Sequence, residues 1–280
     1  MSTQDAAAGK LSGDIPDRAG KPPAFDTTVA HPARVYDYWL GGKDNFQADR
    51  DAAELAVAAY PNILPGVQAN RAFLRRAVRY LPGEQGIRQF LDIGTGLPTN
   101  DNTHQIAQEI APESRIVHVD NDPIVLSHAR ALLHSTKEGV TSYVDADARD
   151  TETILREAAQ VLDFSEPIAV MALLILQYIP DSDNPRRVVS AIMDAMPSGS
   201  YLTVTDTTRD IDADQGAAVT QRLNERMGST QLTMRTREEI ARYFDGLDLV
   251  EPGRVSLPHW RPVTEPAGLL NAYAGMGRKP

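Results

Sequence analysis

The 280-residue chain contains no cysteine, which excludes disulfide bonds, thiolate zinc sites and cysteine nucleophiles. Its six histidines are scattered without the H-E-x-x-H spacing of a zinc helix, so the sequence does not support a metal site. Long apolar runs are also missing, because the longest, residues 168–176, is too short to span a bilayer. The chain does not begin with a basic segment followed by an apolar one. We therefore expect a cytoplasmic protein without a membrane partner.

Positive charge is scarce as well. The chain has 28 Lys and Arg against 38 Asp and Glu, which gives a net charge of −10. A protein with this balance repels nucleic-acid phosphates unless it has a local basic patch. The densest basic stretch, residues 71–79, has the spacing of a solvated helix face. We therefore predict that nucleic acid is not the substrate.

One stretch of the sequence carries most of the information about function. Residues 90–93 are a short, largely apolar strand, Gly94 and Gly96 form a turn, and the polar residues 100–103 favour the start of a helix. Glycine allows a ligand to lie against the main chain. The next strand ends at Asp120, whose carboxylate can accept both hydrogen bonds of a ribose diol. We expect Asp120 to be an exposed loop acid that contributes little to stability.

From residue 86 onward, strands and helices alternate, which is typical of a parallel sheet with helices on both faces. Residues 167–174 are almost wholly apolar, as expected for a strand buried on both faces in the middle of a sheet. The predicted strands are residues 89–93, 115–119, 141–145, 167–174, 201–206, 249–257 and 269–276.

The segment before this sheet differs in composition. Residues 1–28 have almost no large apolar side chains, which predicts a disordered tail. Residues 29–80 predict a helical cap, with helices at 48–60 and 68–80 separated by Pro61 and Pro65, and residues 81–280 form the main domain. The aromatic residues between Tyr36 and Phe46 predict that this segment closes over a ligand. Aromatic rings can also lie over a sulfonium cation.

Two classes of cofactor use a strand, glycine turn and helix of this kind. The dinucleotide fingerprint G-x-G-x-x-G fails because Thr99 stands at its third glycine. The pattern Asp92-x-Gly94-x-Gly96 instead resembles motif I of class I S-adenosylmethionine (SAM)-dependent methyltransferases. Residues 173–181, 196–202 and 239–253 are similar to later motifs of that class. Residues 33–46, 70–74, 90–99 and 119–122 further resemble an actinobacterial S-adenosyl methyltransferase family of unassigned substrate, and the resemblance covers residues 29–277.

The resemblance implies a Rossmann-like class I methyltransferase fold, with a mostly parallel seven-stranded sheet, helices on both faces and an N-terminal helical cap. It also implies S-adenosyl-L-methionine as the cofactor. Asp92 would serve the methionine end, Asp120 the ribose and Asn121 the adenine, while Asp147 and Ala148 would bind the adenine edge. The remaining predicted cofactor residues are Gly94, Thr95, Gly96, Leu173, Tyr36 and Arg71.

The sequence assigns no catalytic residue. Many small-molecule O-methyltransferases have a histidine base after strand four, where this chain has Gln177, which cannot take up a proton. The residues that could line the substrate side are His31, Tyr36, Tyr38, Asp206 and His259. Three functions remain open: methyl transfer to a small molecule, SAM binding without turnover, and an NAD-type oxidoreductase.

Overall fold

The computed structural model describes residues 26–99, 101–132, 135–266 and 268–280. The predicted tail, residues 1–28, lies outside these ranges except for its last three residues. Within the described ranges, no helix is both long and apolar enough to cross a membrane.

A single sheet forms the centre of the described chain. Its eight strands are β1 (Gln89–Ile93), β2 (Arg115–Asp120), β3 (Val140–Asp145), β4 (Ile168–Leu173), β5 (Tyr201–Thr207), β6 (Asp248–Leu249), β7 (Val255–Ser256) and β8 (Ala272–Arg278). The strand order is β3-β2-β1-β4-β5-β8-β6, and β7 pairs with β8 beside this path. Strands β1 to β5 are parallel, whereas β8 runs antiparallel to β5, β6 and β7. The mostly parallel sheet is confirmed, with one short strand more than the predicted seven.

The strands separate two hydrophobic layers because successive side chains point to opposite faces. Leu91 and Ile93 of β1 pack on one side, whereas Phe90 packs on the other. The helices of the described chain are α1 (Pro32–Trp39), α2 (Gln47–Ala59), α3 (Ile63–Glu84), α4 (Thr103–Ile110), α5 (Pro123–Leu132), α6 (Thr151–Ala158), α7 (Pro185–Ala195), α8 (Ala213–Asn224) and α9 (Arg237–Ala241). Helices α6 and α7 cover the first face, and α3 and α4 cover the second.

Helix α3 is longer than predicted. It begins at Ile63 and continues to Glu84, although Pro65 was expected to interrupt it. Pro65 is the third residue of the helix, where the backbone N–H has no partner within the helix, so the missing donor costs nothing.

Helix α8 was not predicted, because residues 213–224 were interpreted as part of a polar stretch. Its buried positions, Gly216, Val219 and Leu223, follow helical spacing but include only two large apolar residues. Val219 and Leu223 belong to a hydrophobic cluster with Val35 of α1 and Ala53 of α2. The N-terminal helices are therefore completed by a helix that comes from much later in the chain.

The last strands are shorter than predicted. The pattern at 249–257 predicted one strand, but β6 ends at Leu249 and β7 begins at Val255. A turn through Pro252 and Gly253 separates them, and Gly253 has a positive φ of 80° that favours glycine.

Candidate cofactor and active site

A cavity of about 400 Å³ opens at the carboxyl ends of the central strands. It lies where the strand order reverses between β1 and β4, which is the place where open α/β sheets bind ligands. All eleven predicted cofactor residues line it: Tyr36, Arg71, Asp92, Gly94, Thr95, Gly96, Asp120, Asn121, Asp147, Ala148 and Leu173. The structure thus brings together residues that are spread over 138 positions of the sequence.

The glycine turn forms the floor of the cavity. The backbone N–H groups of Gly94 and Thr95 both donate to the carbonyl of Val119, at 2.8 and 3.2 Å. Gly94 and Gly96 have φ values of 71° and 69°, a conformation that side-chain-bearing residues rarely adopt. A Cβ on Gly94 would clash with Ile175, whereas a Cβ on Gly96 would meet open space. Gly96 therefore leaves room for a ligand above the main chain.

Asp92, at the end of β1, is fixed through one of its two carboxylate oxygens. Oδ2 accepts a 2.8 Å hydrogen bond from the hydroxyl of Thr103 and lies 3.1 Å from Nδ1 of His118. Among the described residues, Oδ1 has no hydrogen-bond donor. Asp92 is 6% exposed and lines the cavity. One oxygen is therefore available to a cationic ligand group.

Asp120, at the end of β2, is not the exposed loop acid that we expected. It is only 7% exposed, and its two oxygens accept hydrogen bonds from the backbone N–H groups of Gly96 (2.8 Å) and Asp122 (3.0 Å). Burial raises the pKa of this carboxyl, and the two backbone hydrogen bonds act against the rise. Each carboxylate oxygen can accept more than one hydrogen bond, so both retain capacity for a ligand diol.

Asp147 follows β3 and is held by a residue that sequence reasoning missed. Nε and Nη2 of Arg149 donate to its two carboxylate oxygens at 2.8 and 2.7 Å, and the amide of Asn121 donates to it at 3.3 Å. The hydrogen bonds from Arg149 hold the pKa of Asp147 below its usual range. Arg149 itself lines the cavity. Its position only two residues after Asp147 is the sequence feature that could have predicted this pair.

Helices α1 and α3 form another wall of the cavity. The hydroxyl of Tyr36 in α1 accepts a 3.0 Å hydrogen bond from Asn70 of α3. Nη2 of Arg71 donates to the carbonyl of Asp101 at 2.8 Å, and burial lowers the pKa of this guanidinium. Leu173 lies at the end of β4.

The candidate substrate-side residues do not all reach the cavity. His31 and Tyr36 line it, and Nδ1 of His31 lies 2.8 Å from Oδ2 of Asp122. Tyr38 instead donates to the exposed Glu54, and His259 is not part of the lining.

Asp206 is fully buried beside Arg235, with Nη1 of Arg235 3.4 Å from its Oδ2. Arg235 also donates to the carbonyls of Leu176 and Ile179, which flank the loop after β4. Asp206 thus helps to hold this loop rather than facing a ligand.

Sequence reasoning also missed the far wall of the cavity. This wall consists of Val219 and Leu223 of α8 and of Ser229, Thr230, Gln231, Leu232 and Met234 of the following loop. Gln177, after β4, is 5% exposed and lies in the same wall. The apolar spacing in α8 was the signal that could have revealed this wall.

Comparison with solved structures identifies close relatives. A DUF574 family protein from Streptomyces avermitilis MA-4680 is 42% identical, with a TM-score of 0.87 over 91% of this chain and 99% of its own. A candidate methyltransferase from Thermobifida fusca YX is also 42% identical, with a TM-score of 0.84 over 92% of this chain and 98% of its own. The plantazolicin methyltransferase BpumL, solved with a triazolic desmethylPZN analog and S-adenosylhomocysteine (SAH), is 10% identical with a TM-score of 0.51, covers 89% of this chain and 96% of its own, and shares the fold. Among curated proteins, none matches the chain.

The fold and the cavity define a class I SAM-dependent methyltransferase. The family described as S-adenosyl methyltransferase matches residues 18–280, and the chain belongs to it. Its cofactor is SAM, and the enzyme transfers a methyl group, so the oxidoreductase alternative is discarded. The residues present suit this cofactor, since the space above Gly96 is open and Asp92 keeps an oxygen without a donor.

Proposed function

We propose that this enzyme methylates a small organic acceptor that is uncharged and largely apolar. The observation that carries the proposal is the distribution of charge around the cavity. Among the described residues, the cavity's carboxylates, guanidinium groups and imidazole come from the strand ends (Asp92, Asp120, Asp147 and Arg149) and the N-terminal segment (His31 and Arg71). The far wall, formed by α8 and the loop after it, lines the cavity with Val219, Leu223, Leu232 and Met234 and with the uncharged Ser229, Thr230 and Gln231. An ion placed against this wall would lose hydration without gaining a charged partner, whereas an uncharged, largely apolar ligand suits it.

The cofactor residues have distinct proposed roles. SAM, when bound, supplies an electrophilic methyl group on a sulfonium. We assign Asp120 to the ribose diol and Asp92 to the methionine ammonium, because both have acceptor capacity facing the cavity. Asp147 is assigned to the adenine edge, where the hydrogen bonds from Arg149 fix its orientation. Arg71 is assigned to the methionine carboxylate because it lines the cavity and a guanidinium can bind a carboxylate through two parallel N–H groups.

Catalysis on the acceptor side is proposed to rest on positioning. Gln177 cannot accept a proton, and burial raises the pKa of the neighbouring Tyr178 to about 12, so its hydroxyl stays protonated at neutral pH. Burial also raises the pKa of Tyr36. Holding the acceptor in line with the methyl group is then the main contribution of the protein. An acceptor that is uncharged and nucleophilic without help, such as a neutral aromatic amine, suits this wall.

The remaining proposals concern location and partners. The net charge of −10 supports our proposal that nucleic acid is not the acceptor. We also propose that the enzyme works in the cytoplasm. Residues 29–80 are proposed to act as the cap and residues 81–280 as the catalytic domain, with α8 contributing to the cap.

The decisive experiment combines calorimetry with transfer of a labelled methyl group. We expect wild-type protein to bind SAM at micromolar concentration and NAD not measurably. Paired acceptors should then be compared, each neutral aromatic amine or phenol against the same ring carrying a carboxylate. Transfer to the neutral members supports the proposal, and transfer confined to the charged members contradicts it. SAM binding without transfer to any acceptor would favour a binding protein.

A further inference from the structure

A chain of three polar side chains runs beneath the proposed methionine end of the cavity. Nδ1 of His118 lies 3.1 Å from Oδ2 of Asp92, and Nε2 of His118 lies 3.1 Å from Nδ1 of His104. His118 is fully buried, and His104 is 2% exposed. Neither histidine was singled out by the sequence, because they lie on β2 and α4 and meet only in the fold.

The surroundings of His118 determine where its proton lies. The hydroxyl of Thr95 donates to the carbonyl of Asp92 at 3.1 Å, so its oxygen can only accept at Nδ1 of His118, also 3.1 Å away. Both polar neighbours of Nδ1 are therefore acceptors, which requires a proton on that nitrogen. In the neutral ring, Nε2 is then an acceptor, and Nδ1 of His104 is its donor.

The chain ends at a second cavity, of about 640 Å³, which His104 lines together with Arg71 and Arg75 of α3. Arg71 and Asn102 line both cavities, so the two spaces are adjacent. Asp92 lines the first cavity and His104 the second, and the buried ring of His118 connects these two side chains.

We propose that His118 is a positioning residue for SAM binding, and that His104 fixes the tautomer of its ring. By donating to Oδ2 of Asp92, His118 turns the other oxygen of the carboxylate toward the first cavity. There this oxygen can accept a hydrogen bond from the methionine ammonium of SAM. This inference rests on the proposed role of Asp92.

The groups around His118 agree with this arrangement. Tyr143 of β3 stacks on the ring, with centroids 4.9 Å apart and planes at 26°, so it fixes the orientation without adding charge at neutral pH. Burial raises the pKa of Tyr143 far above its usual range. Burial and the nearby His118 lower the pKa of His104 to about 4, so His104 is neutral at pH 7. Asp120 and Arg71 are the other charged groups facing this region.

The test measures SAM affinity by calorimetry in wild-type protein and three variants. In His118→Asn the amide nitrogen takes the place of Nδ1, so this variant keeps the donor to Asp92. His118→Leu removes the donor. Ile116→Ala lies on the same face of β2 and is fully buried but does not touch Asp92, so it controls for loss of stability. Thermal unfolding confirms that each variant is folded.

We expect His118→Asn to match wild type within about threefold, because the donor to Asp92 remains. His118→Leu should bind SAM at least tenfold more weakly, because the carboxylate loses the donor that orients it. Ile116→Ala should bind normally.

Each other outcome is informative. Normal binding by His118→Leu overturns the positioning role, as does an equal loss in His118→Asn and His118→Leu. If His118→Leu does not fold, a loss of tenfold or more in folded His118→Asn overturns the role by itself, because that variant keeps the donor to Asp92. Failure of wild-type protein to bind SAM would instead contradict the proposed function.

Discussion

Asp120 Oδ2 accepts the backbone N–H of Gly96 at 2.8 Å, so the acid assigned to the ribose also closes the glycine turn. The second oxygen holds the backbone of Asp122 in the same way. A ligand that bonds to this carboxylate therefore meets a group whose position is already set. Because the same carboxylate holds two backbone N–H groups and is assigned to the ribose, a substitution at Asp120 should lower both SAM affinity and the free energy of unfolding.

The first prediction concerns Asp120→Ala and Asp120→Asn. Removal of the carboxylate should weaken SAM binding by roughly tenfold to a thousandfold, because hydrogen bonds to a charged group contribute about 1.5–3 kcal/mol each. It should also lower the free energy of unfolding by about 2 kcal/mol, because two backbone donors lose their acceptor. Asp120→Asn keeps one acceptor and should fall between. Calorimetry and urea unfolding measure the two effects.

A modified cofactor controls for indirect effects of these substitutions. Wild-type protein should bind 2′-deoxy-SAM less tightly than SAM, whereas Asp120→Ala should barely distinguish them. A variant that discriminates as strongly as wild type would show that Asp120 does not contact the ribose.

The second prediction separates the two glycines of the turn. Gly94→Ala should destabilise the fold by about 3 kcal/mol, because its Cβ would collide with Ile175 and its φ is positive. Gly96→Ala should cost only about 1 kcal/mol, for the positive φ, since its Cβ meets open space. That same Cβ would occupy the floor of the cavity, so SAM affinity should fall at least tenfold. Normal SAM binding by folded Gly96→Ala would show that the cofactor lies elsewhere.

The third prediction concerns the orientation of Asp147. Arg149→Met removes both guanidinium hydrogen bonds to this carboxylate and leaves those from the backbone N–H of residue 149 and the amide of Asn121. SAM binding should therefore weaken by about threefold to tenfold. Asp183→Asn is the matched control, because Asp183 binds the other end of Arg149 at 2.8 Å without lining the cavity. It should change the affinity less than twofold. Equal effects of the two variants would assign the loss to the surface ion pairs and not to Asp147.

The fourth prediction is a pH dependence of stability that involves His104. Burial lowers the pKa of His104 to about 4, whereas the unfolded chain protonates it near 6.5. Between pH 4 and pH 6.5 the unfolded state binds more protons than the folded state. The contribution of His104 to stability is therefore complete above pH 6.5 and is lost as the pH falls toward 4. The loss at pH 4 should approach about 3 kcal/mol. Urea unfolding of wild type and His104→Gln across this range tests it, and parallel profiles of the two proteins would refute it.

The fifth prediction uses two neighbouring tyrosines of α1. Tyr36 lines the cavity and accepts a hydrogen bond from Asn70, whereas Tyr38 donates to an exposed glutamate. Tyr36→Phe should weaken SAM binding by about threefold or more, because Asn70 loses its acceptor at the cavity wall. Tyr38→Phe should leave it unchanged. Identical affinities in calorimetry would remove Tyr36 from the proposed site.

The sequence predicted the parts of the fold that have strong local patterns. The buried strand β4 is a continuous apolar run, and the glycine turn after β1 has its own motif, so both were placed within a residue or two. Helix α8 was missed because its buried face relies on Gly216 and two large apolar residues. Its burial comes from contact with α2, which no local pattern reveals.

The same distinction applies to the site. The eleven cofactor residues could be proposed from motifs because each lies at a strand end or a recognisable segment. His118 could not be proposed from the sequence, because it is a single histidine within a mostly buried strand. Its proposed role depends on its contacts with Asp92 and His104, which come together only in the fold. The burial of Asp120 was also unpredictable, since it depends on how the turn and the cap close over it.

The late arrival of α8 has a consequence for synthesis of the protein on the ribosome. The strand ends that carry Asp92, Asp120 and Asp147 are all made before residues 213–234, which complete the far wall. Domains generally begin to fold from the N-terminus as the chain emerges. A nascent chain therefore has its cofactor-facing acids before it has the wall that we assign to the acceptor. If this wall binds the acceptor, we expect methyl transfer only after residues 213–234 have left the ribosome.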